Sequence, residues 1–372
     1  MYVLNHTKSR YAFYCGTDWI DEAFLRWASS PHGGTGIPSM RQKFKAPYRT
    51  ALQYKGRQQT IIAARDRQSG DYIGMVVLST REVYIRGALR TIAYVSELYI
   101  DPKHRNPAVG RGMYYHFIQT TKNYDGLLAS AFASNRHLLN MLTARKNSPI
   151  AFSDIGTLYT YVFYPKVLPN PAPSSPIKIQ ALHTEAMLDA FLEFWHYQKD
   201  DRDFIPAYAK SDFHSERGQL RDLRLDDILI ATRGDEIVGS IGLWDQSPTR
   251  TWIVDRYPTG LRLLRPLINV LARWRGIPTL PRPGEEIPYL LVCLLRVKDD
   301  DPEVLWSLFQ ALSMRFQHHR KQPLFVCALH QRDPLRKWMQ WPHYPITSRL
   351  LFSSKKMTVD PKSIPYVELG AL

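Results

Sequence analysis

The chain has 372 residues, which favours two domains or three, and 44% of them are hydrophobic, enough for ordinary cores. No apolar run approaches the roughly 18 residues of a membrane helix, and residues 1–10 lack the apolar stretch of a signal peptide. The three cysteines (Cys15, Cys293 and Cys327) form no spaced framework, so we expect reduced thiols in a cytoplasmic protein.

The net charge of +15 is distributed unevenly along the chain. Residues 1–170 hold 22 lysines and arginines against 10 acidic residues, whereas the remainder holds 27 against 24. One interpretation is a generally basic, soluble surface. The other is that the first half contacts an anion, which would be nucleic acid, an acidic surface or a phosphorylated cofactor.

Apolar periodicity predicts alternating strands and helices in the first half. In chain order we expect a helix over 18–27 capped by Thr17 or Asp18, strands over 60–65, 72–79, 83–86 and 92–100, a helix over 111–122, a strand over 126–132, a helix opened by Asn135, and closing strands at 151–152 and 158–163. The glycine-rich stretch 33–36 lacks the Gly-Lys-Ser/Thr ending of a phosphate-binding loop and is interpreted as a loop near a substrate entrance.

A proline-rich stretch, 168–176, is predicted to be a linker between residues 1–167 and residues 177–372. Beyond it the pattern begins again. We expect a strand over 178–181 and a helix over 185–197. Segment 227–243 then resembles 59–78, and 289–297 matches 94–100. The segments 304–316 and 324–329 match the helix and the strand that follow in the first half. We infer a tandem repeat of one α/β unit, with 366–372 as an expected last strand.

The segment around residues 94–115 carries the most specific pattern in the chain. An apolar, β-prone run ends at Asp101-Pro102, a short basic loop follows, and Gly110-Arg111-Gly112 is predicted to open a helix. Free N–H groups at a helix start, approached closely because of glycine, favour the binding of a phosphate. Arg111 is interpreted either as a contact to that anion or as a solvated arginine.

This segment resembles the GNAT superfamily of acyl-coenzyme A-dependent N-acyltransferases. The resemblance covers residues 60–165, and residues 1–60 by position only. In that family the pyrophosphate of acyl-CoA rests on a loop of the type Gln/Arg-x-x-Gly-x-Gly/Ala. Gly110 and Gly112 match its two small positions, but Pro107 stands where the basic or amide residue belongs, and Arg105 lies two residues too early.

The resemblance implies a fold class and a set of site residues. The fold is expected to be α/β, with two tandem GNAT-like domains, each a mixed, mostly antiparallel sheet flanked by helices and containing a splayed parallel pair. The implied contacts to CoA are the backbone of Leu98, Tyr99 and Ile100 for the pantetheine arm, the amides around Val109, Gly110, Arg111, Gly112 and Met113 for the pyrophosphate, the charges of Arg105 and Arg111, and Asn135.

Amine acylation needs a group that accepts a proton and a group that protonates the leaving thiolate. Glu97 is the candidate base, and the alternative interpretation is an edge carboxylate paired with a nearby arginine. The tyrosine that many GNAT members use as the acid is replaced here by Leu142. Tyr159 or Tyr161 would then supply the acid, although tyrosines on strands are more commonly core or sheet-surface residues.

The second half is expected to be a degenerate copy, because Asp299, Asp300 and Asp301 replace the glycine loop and would repel pyrophosphate. The predicted function is therefore transfer of an acyl group, expected to be acetyl from acetyl-CoA, to an amine in the first half. The alternative is a non-catalytic module with this fold that binds nucleic acid or senses CoA. We expect a small-molecule or peptide amine as substrate, no metal and no membrane partner; the sequence does not identify the amine, the acyl length or the oligomeric state.

Overall fold

The computed structural model describes residues 9–30, 39–144, 150–165, 177–197, 202–214, 218–316 and 323–372. The expectations for the glycine-rich stretch 33–36 and for the linker 168–176 fall outside these described residues, so the predicted boundary between 1–167 and 177–372 stays a prediction. The strands are β1 (Tyr11–Gly16), β2 (Ser39–Phe44), β3 (Gln58–Asp66), β4 (Tyr72–Ile85), β5 (Ala88–Ile100), β6 (Gly126–Phe132), β7 (Ser153–Phe163), β8 (Ile177–Ala181), β9 (Ile205–Pro206), β10 (Ile228–Arg233), β11 (Glu236–Trp244), β12 (Arg250–Arg256), β13 (Tyr289–Val297), β14 (Leu324–His330) and β15 (Tyr344–Ser353). The helices are α1 (Glu22–Ser29), α2 (Tyr48–Leu52), α3 (Pro107–Thr121), α4 (Arg136–Thr143), α5 (Glu185–Tyr197), α6 (Ser211–His214), α7 (Thr259–Trp274) and α8 (Pro302–Phe316).

Most strands join one long sheet that runs through both halves of the chain. Its order is β1-β3-β4-β5-β6-β15-β7-β14-β13-β11-β10-β8, with the short β9 added beside β4, while β2 and β12 form a separate two-stranded ribbon. Most neighbours are antiparallel, and the parallel pairs are β5 with β6 and β13 with β14. The predicted fold class, a mixed and mostly antiparallel sheet flanked by helices, is confirmed.

The centre of the sheet is built by an exchange of strands between the halves. The strand β15 pairs with β6 of the first half, and β7 pairs with β14 of the second half. The two exchanged strands also pair with each other, from Tyr344 opposite Val162 to Phe352 opposite Ser153. Each half therefore needs a strand from the other to complete its ladder of backbone hydrogen bonds.

The hairpins that carry the site follow the predicted pattern. The strands β3 and β4 pair antiparallel from Gln58 opposite Thr80 to Arg65 opposite Tyr72, and Gly70 adopts φ +79° in the turn between them. A glycine there avoids the steric cost of a side chain at positive φ. The second hairpin, β10 with β11, repeats this arrangement beside β8.

Several expectations for the elements need correction. Helix α1 begins at Glu22 because Asp21, not Thr17 or Asp18, is its cap and accepts a hydrogen bond from the Phe24 amide at 2.6 Å. The chain end forms no strand, since residues 369–371 make a single 3₁₀ turn and β15 is the last strand among the described residues. The strands expected over 72–79 and 83–86 form the single strand β4, and residues 151–152, expected to be a strand, precede β7. The elements that were not predicted are β1, β2, β9, β12, β15, α2, α6 and α7.

Helices cover both faces of the sheet in each half. In the first half α3 buries Val109, Met113 and Phe117 against one face, and α1 and α2 bury Phe24 and Leu52 against the other. In the second half α8 buries Leu305, Leu308 and Leu312, as its spacing predicted, and α5 covers the opposite face with Phe191 and Trp195. Among the described residues, no helix combines the length and apolar character required to cross a bilayer.

Candidate active site

The parallel strands β5 and β6 separate part of the way along their length. They pair from Ile92 opposite Gly126 to Val95 opposite Ala129, and no pairing between them continues beyond this point in the described chain. Strand β5 nevertheless runs on to Ile100, so the backbone of residues 96–100 has no neighbouring strand on that side within the same described ranges. A strand edge without a neighbouring strand can accept an extended ligand as an additional strand.

A β-bulge at Glu97 lies directly at this separation. Met75 of β4 faces Tyr99 and Val77 faces Ser96, so β5 contains one more residue than its partner over the same stretch. Glu97 takes a φ of +53°, which is unusual for a residue with a side chain. Bulges redirect side chains locally, and this one turns the Glu97 carboxylate out of the regular alternation of the strand.

The carboxylate of Glu97 pairs with Lys55, which no sequence motif marks. Lys55 Nζ donates a hydrogen bond to Glu97 Oε1 at 2.7 Å, and only 7% of the lysine side chain is exposed, against 22% for Glu97. Burial lowers the pKa of Lys55, and Arg250 and Arg81 act in the same direction, while the charge of Glu97 opposes them. The predicted edge carboxylate is thus paired with a cation, a lysine rather than an arginine.

Lys55, Arg81 and Arg250 form a buried basic cluster under the bulge. Arg81 Nε donates to the Lys55 carbonyl at 2.6 Å, and Arg250 Nη2 donates to the Gly370 carbonyl at 2.6 Å. Arg81 also donates to the Ala371 carbonyl. Burial lowers the pKa of Arg81 to about 10 and lowers that of Arg250. Such a concentration of buried positive charge favours a developing negative charge nearby.

The chain end is held in place by this cluster. Besides Arg250, Gln246 donates to the Gly370 carbonyl, at 2.8 Å. A side chain at Gly370 would not fit, because an added Cβ would lie 2.4 Å from the Trp244 ring. The neighbouring Glu368 is buried, and burial raises the pKa of its carboxyl to about 7. Residues 368–371 therefore belong to the wall of the candidate site.

The predicted start of the helix at Gly110-Arg111 is wrong. Helix α3 begins at Pro107, and the Asn106 side chain caps it by accepting hydrogen bonds from the Ala108 amide at 3.0 Å and the Val109 amide at 3.1 Å. The Gly110 amide bonds to the Asn106 carbonyl at 3.2 Å. A pyrophosphate at these amides would have to share or replace those bonds, and the predicted contact remains a prediction.

The two glycines of the predicted loop have different surroundings. An added Cβ at Gly110 would meet no atom within 4 Å, whereas one at Gly112 would lie 2.0 Å from the Phe13 ring. Gly112 thus allows α3 to approach β1 closely, and only Gly110 leaves open space for a ligand. Val109 and Met113 bury their side chains in the core, so only their backbone groups are candidates for ligand contacts.

Basic side chains surround the start of α3. Arg105 and Arg111 are exposed, and Arg105 Nε donates to the Ile100 carbonyl at 3.1 Å. The first turn of the helix contains no acidic residue. Positive charge at a helix N-terminus opposes the helix dipole, and a bound anion would remove this conflict.

The two remaining predicted residues are Asn135 and Tyr159. Asn135 is exposed, and its side chain caps α4 by accepting from the Leu138 amide at 3.2 Å. Tyr159 lies on β7, three strand spacings from β5, which is at least about 14 Å. Its ring instead packs beneath the Arg336 guanidinium, 3.8 Å from the ring centroid. The structure does not bring Tyr159 to Glu97, which makes Tyr159 a poor candidate for the acid.

The second half has a similar separation of parallel strands and a similar bulge, but the bulge residue carries no carboxylate. Strands β13 and β14 pair only from Tyr289 to Leu291, and a bulge in β13 places Leu294 at a φ of +52°. Leucine therefore occupies the position that corresponds to Glu97. Of the three aspartates, Asp300 accepts from Arg202 at 2.5 Å and Asp301 accepts from Arg233 at 2.9 Å.

Within the described residues, no group of three or more histidine, cysteine, aspartate or glutamate side chains is arranged to hold a metal ion. The charged side chains around Glu97 are instead the buried basic cluster, whose lysine is within hydrogen-bond distance of the carboxylate. Sequence periodicity could not reveal this cluster, since its members are separated by up to 195 positions along the chain.

Comparison with known proteins gives structural similarity only. No protein-family model matches the sequence, and a search of curated proteins finds no match. The chain is similar to Saccharomyces cerevisiae N-myristoyltransferase with bound myristoyl-CoA, with a TM-score of 0.54 and 9% identity, over 95% of this chain and 87% of that one.

Two further structures contain GCN5-related N-acetyltransferases. The first is the glucosamine N-acetyltransferase region of a fungal multi-domain β-N-acetylglucosaminidase, with a TM-score of 0.50 and 11% identity, over 82% of this chain and 34% of that one. The second is from Kribbella flavida, with a TM-score of 0.46 and 10% identity, over 80% of this chain and 60% of that one, so the chain spans less than two thirds of its length. Together with the splayed, bulged parallel pair, the likeness to the myristoyltransferase and to the fungal region shows that this chain has the GNAT fold.

Proposed function

We propose that the protein transfers an acyl group from an acyl-CoA to an amine, at the separation of β5 and β6. The observation that carries this proposal is the ion pair between Glu97, on the bulge, and the buried Lys55, 2.7 Å apart. The pair brings together a carboxylate that can accept a proton and an ammonium group whose pKa burial lowers, which makes it a stronger acid than a solvated lysine. Leu294 at the matching bulge leaves the second half without such a pair.

The acyl donor would lie along residues 96–100 of β5, beyond the end of its pairing with β6. In this arrangement the backbone of Leu98, Tyr99 and Ile100 pairs with the pantetheine arm, and the pyrophosphate lies at the start of α3, near Gly110, Arg105 and Arg111. The Ser96 hydroxyl is evidence that a ligand binds here, because it is shielded from solvent and has no hydrogen-bond partner among the described residues. Buried polar atoms usually have a partner, and a bound thioester would supply one.

In the proposed reaction, Glu97 and Lys55 carry out both proton transfers. The amine nitrogen attacks the thioester carbonyl, a carbon–nitrogen bond forms, and the carbon–sulfur bond breaks. Glu97 takes the proton that the amine loses, directly or through a water molecule, and Lys55 gives a proton to the departing thiolate. Proton transfer from Glu97 to Lys55 across their hydrogen bond then restores both groups.

The buried basic cluster would stabilise the negative charge that develops on the thioester oxygen. Arg81 and Arg250 are buried, so water screens their charges poorly. The Nε and Nη2 atoms of both arginines already donate to carbonyl oxygens, so we assign these side chains a long-range electrostatic role rather than a direct contact.

Acetyl-CoA is the expected donor. The myristoyl-CoA bound in the similar yeast structure makes chain length a variable that must be tested directly. We therefore propose an assay of thiol release with acetyl-CoA and with longer acyl-CoAs, over a panel of amines that includes small amines, amino acids and peptides.

The controls separate the candidate functions. Glu97→Gln should abolish amine-dependent thiol release, whereas Glu22→Gln, at an exposed position of α1, should not change it. CoA binding without release for any amine would favour a sensor, and the absence of CoA binding would reject the proposal. Binding of DNA or RNA that weakens steeply with salt and does not compete with CoA would favour the nucleic-acid alternative.

A further inference from the structure

Helix α7 presents a continuous apolar face to solvent. Six large apolar side chains on it are exposed: Leu263, Leu264, Leu267, Val270, Leu271 and Trp274. Trp274 is 82% exposed and Leu263 is 71% exposed. At 100° per residue, all six fall within an arc of about 120°. Isolated exposed apolar residues are normal on a protein surface, but a clustered face of this kind indicates an interaction site.

The opposite side of the helix is the one attached to the protein. Ala272 is the buried residue of α7. Asn269 makes two hydrogen bonds with Leu280, at 2.8 and 3.1 Å, and Arg265 Nη1 donates to the same carbonyl at 3.3 Å. The orientation of the helix is therefore set by its polar side, and the apolar face points outward because of these bonds.

The charges on α7 indicate what covers this face. Segment 259–276 contains arginines at 262, 265, 273 and 275 and no acidic residue. Arg262 and Arg273 lie on one flank of the apolar arc and Arg275 on the other. An apolar face with leucine and tryptophan, bordered by arginines, is the pattern of helices that lie in the interface of an anionic membrane.

A second copy of this chain fits the surface less well. In a twofold dimer formed through this face, the helix would pack against the same helix of its partner. The arginines of both copies would then lie close together with no acidic residue on either helix to compensate them. A negatively charged lipid surface instead supplies both the apolar phase and the opposite charge.

We propose that α7 binds the surface of an anionic lipid bilayer, with Leu263, Leu267, Leu271 and Trp274 inserted and the flanking arginines at the headgroups. The sequence-based expectation was against a membrane partner, and it rested on the absence of a spanning segment. A helix that lies in the membrane interface needs no such segment, only an exposed amphipathic face. The proposal does not depend on the acyltransferase activity.

The test is co-sedimentation of the full chain with vesicles. One set consists of equal parts phosphatidylcholine and phosphatidylglycerol, and the other of phosphatidylcholine alone. The double variant Leu267→Ser/Trp274→Ser removes two exposed apolar groups from α7, and Leu89→Ser/Met314→Ser removes two exposed apolar groups elsewhere as its matched control. Arg262→Glu/Arg273→Glu tests the charge, with Lys178→Glu/Lys355→Glu as its control.

We expect the wild type and both controls to bind the anionic vesicles. The Leu267/Trp274 variant should bind at least about tenfold more weakly, since burying each large apolar side chain is worth more than a factor of ten. The Arg262/Arg273 variant should also weaken binding and reduce its dependence on salt. Failure of the wild type to bind, or equal binding by the Leu267/Trp274 variant, would overturn the proposal. The proposal would also be overturned if the wild type is a dimer in sedimentation velocity that does not bind vesicles, and if this dimer dissociates in the Leu267/Trp274 variant.

Discussion

Gly110 offers a clean test of where the pyrophosphate binds. It is the fourth residue of α3, and an added Cβ would meet no atom within 4 Å, so substitutions there should not disturb packing. Gly110→Ala should stabilise the helix by about 0.5–1 kcal/mol, because glycine is a poor helix former. Gly110→Asp should be tolerated as well, since a carboxylate in the first turn interacts favourably with the helix dipole.

The two variants should differ in their affinity for CoA. The carboxylate introduced by Gly110→Asp would lie beside the proposed pyrophosphate and repel it, and even about 1.4 kcal/mol of repulsion weakens binding tenfold. We therefore expect calorimetry to show near-wild-type affinity for Gly110→Ala and a loss of at least about tenfold for Gly110→Asp. Equal affinities for the two variants, with both folded by circular dichroism, would refute the placement of the pyrophosphate at α3.

Gly112 is the contrasting position within the same motif. An added Cβ would lie 2.0 Å from the Phe13 ring, so α3 or β1 would have to shift. Overpacking of this kind typically costs about 1–3 kcal/mol. Gly112→Ala should therefore lower the free energy of unfolding, and any loss of CoA binding in this variant would report on packing rather than on repulsion.

Two further predictions concern the wall of the site. Since burial raises the folded-state pKa of Glu368 to about 7, above its ordinary 4.5, the folded protein binds more protons between these values, and its stability should fall as pH rises through this window. Urea unfolding should show that the free energy of unfolding of the wild type is up to about 3 kcal/mol lower at pH 8 than at pH 5, and that this difference is absent in Glu368→Gln. Equal differences in both proteins would contradict the assignment of this pH dependence to Glu368. Gly370→Ala should reduce the free energy of unfolding by about 1–3 kcal/mol through its clash with Trp244, and should impair thiol release. The control Gly260→Ala, whose Cβ would meet no atom within 4 Å, should do neither. A Gly370→Ala variant that matches the wild type in both respects would show that the chain end is not a rigid part of the wall.

Sequence patterns predicted the elements in which apolar residues recur at regular spacing within one short segment. Tyr289–Val297 was predicted with the bounds that the structure shows, and the helix predicted over 304–316 lacks only the first two residues of α8. The strand β15 was missed because its position between β6 and β7 depends on pairing with residues that lie 182 to 226 positions earlier in the chain. Helix α7 has an outward apolar face and an internal proline, Pro266, so it lacks the usual signature of a helix packed on a core.

The site was predicted from the sequence only where one strand carries it. Glu97 follows from the pattern of β5, but its partner Lys55 lies 42 residues earlier in a segment with little periodicity. The start of α3 was placed too late because glycines suggested an opening, whereas Asn106 and Pro107 provide the cap and the first residue of the helix. Tyr159 was assigned from its residue type alone, and the exchange of β7 places it against the core of the second half.

The central claim is that Glu97 and Lys55 exchange the protons of acyl transfer, and the most direct test is the rate constant kcat for amine-dependent thiol release. Glu97→Gln and Lys55→Met should each reduce kcat by at least about 100-fold, the usual contribution of a general acid or base, while the Kd for acyl-CoA stays within about twofold of the wild type. If either folded variant retains a wild-type kcat, the Glu97–Lys55 pair is a structural ion pair and the proton transfers occur elsewhere.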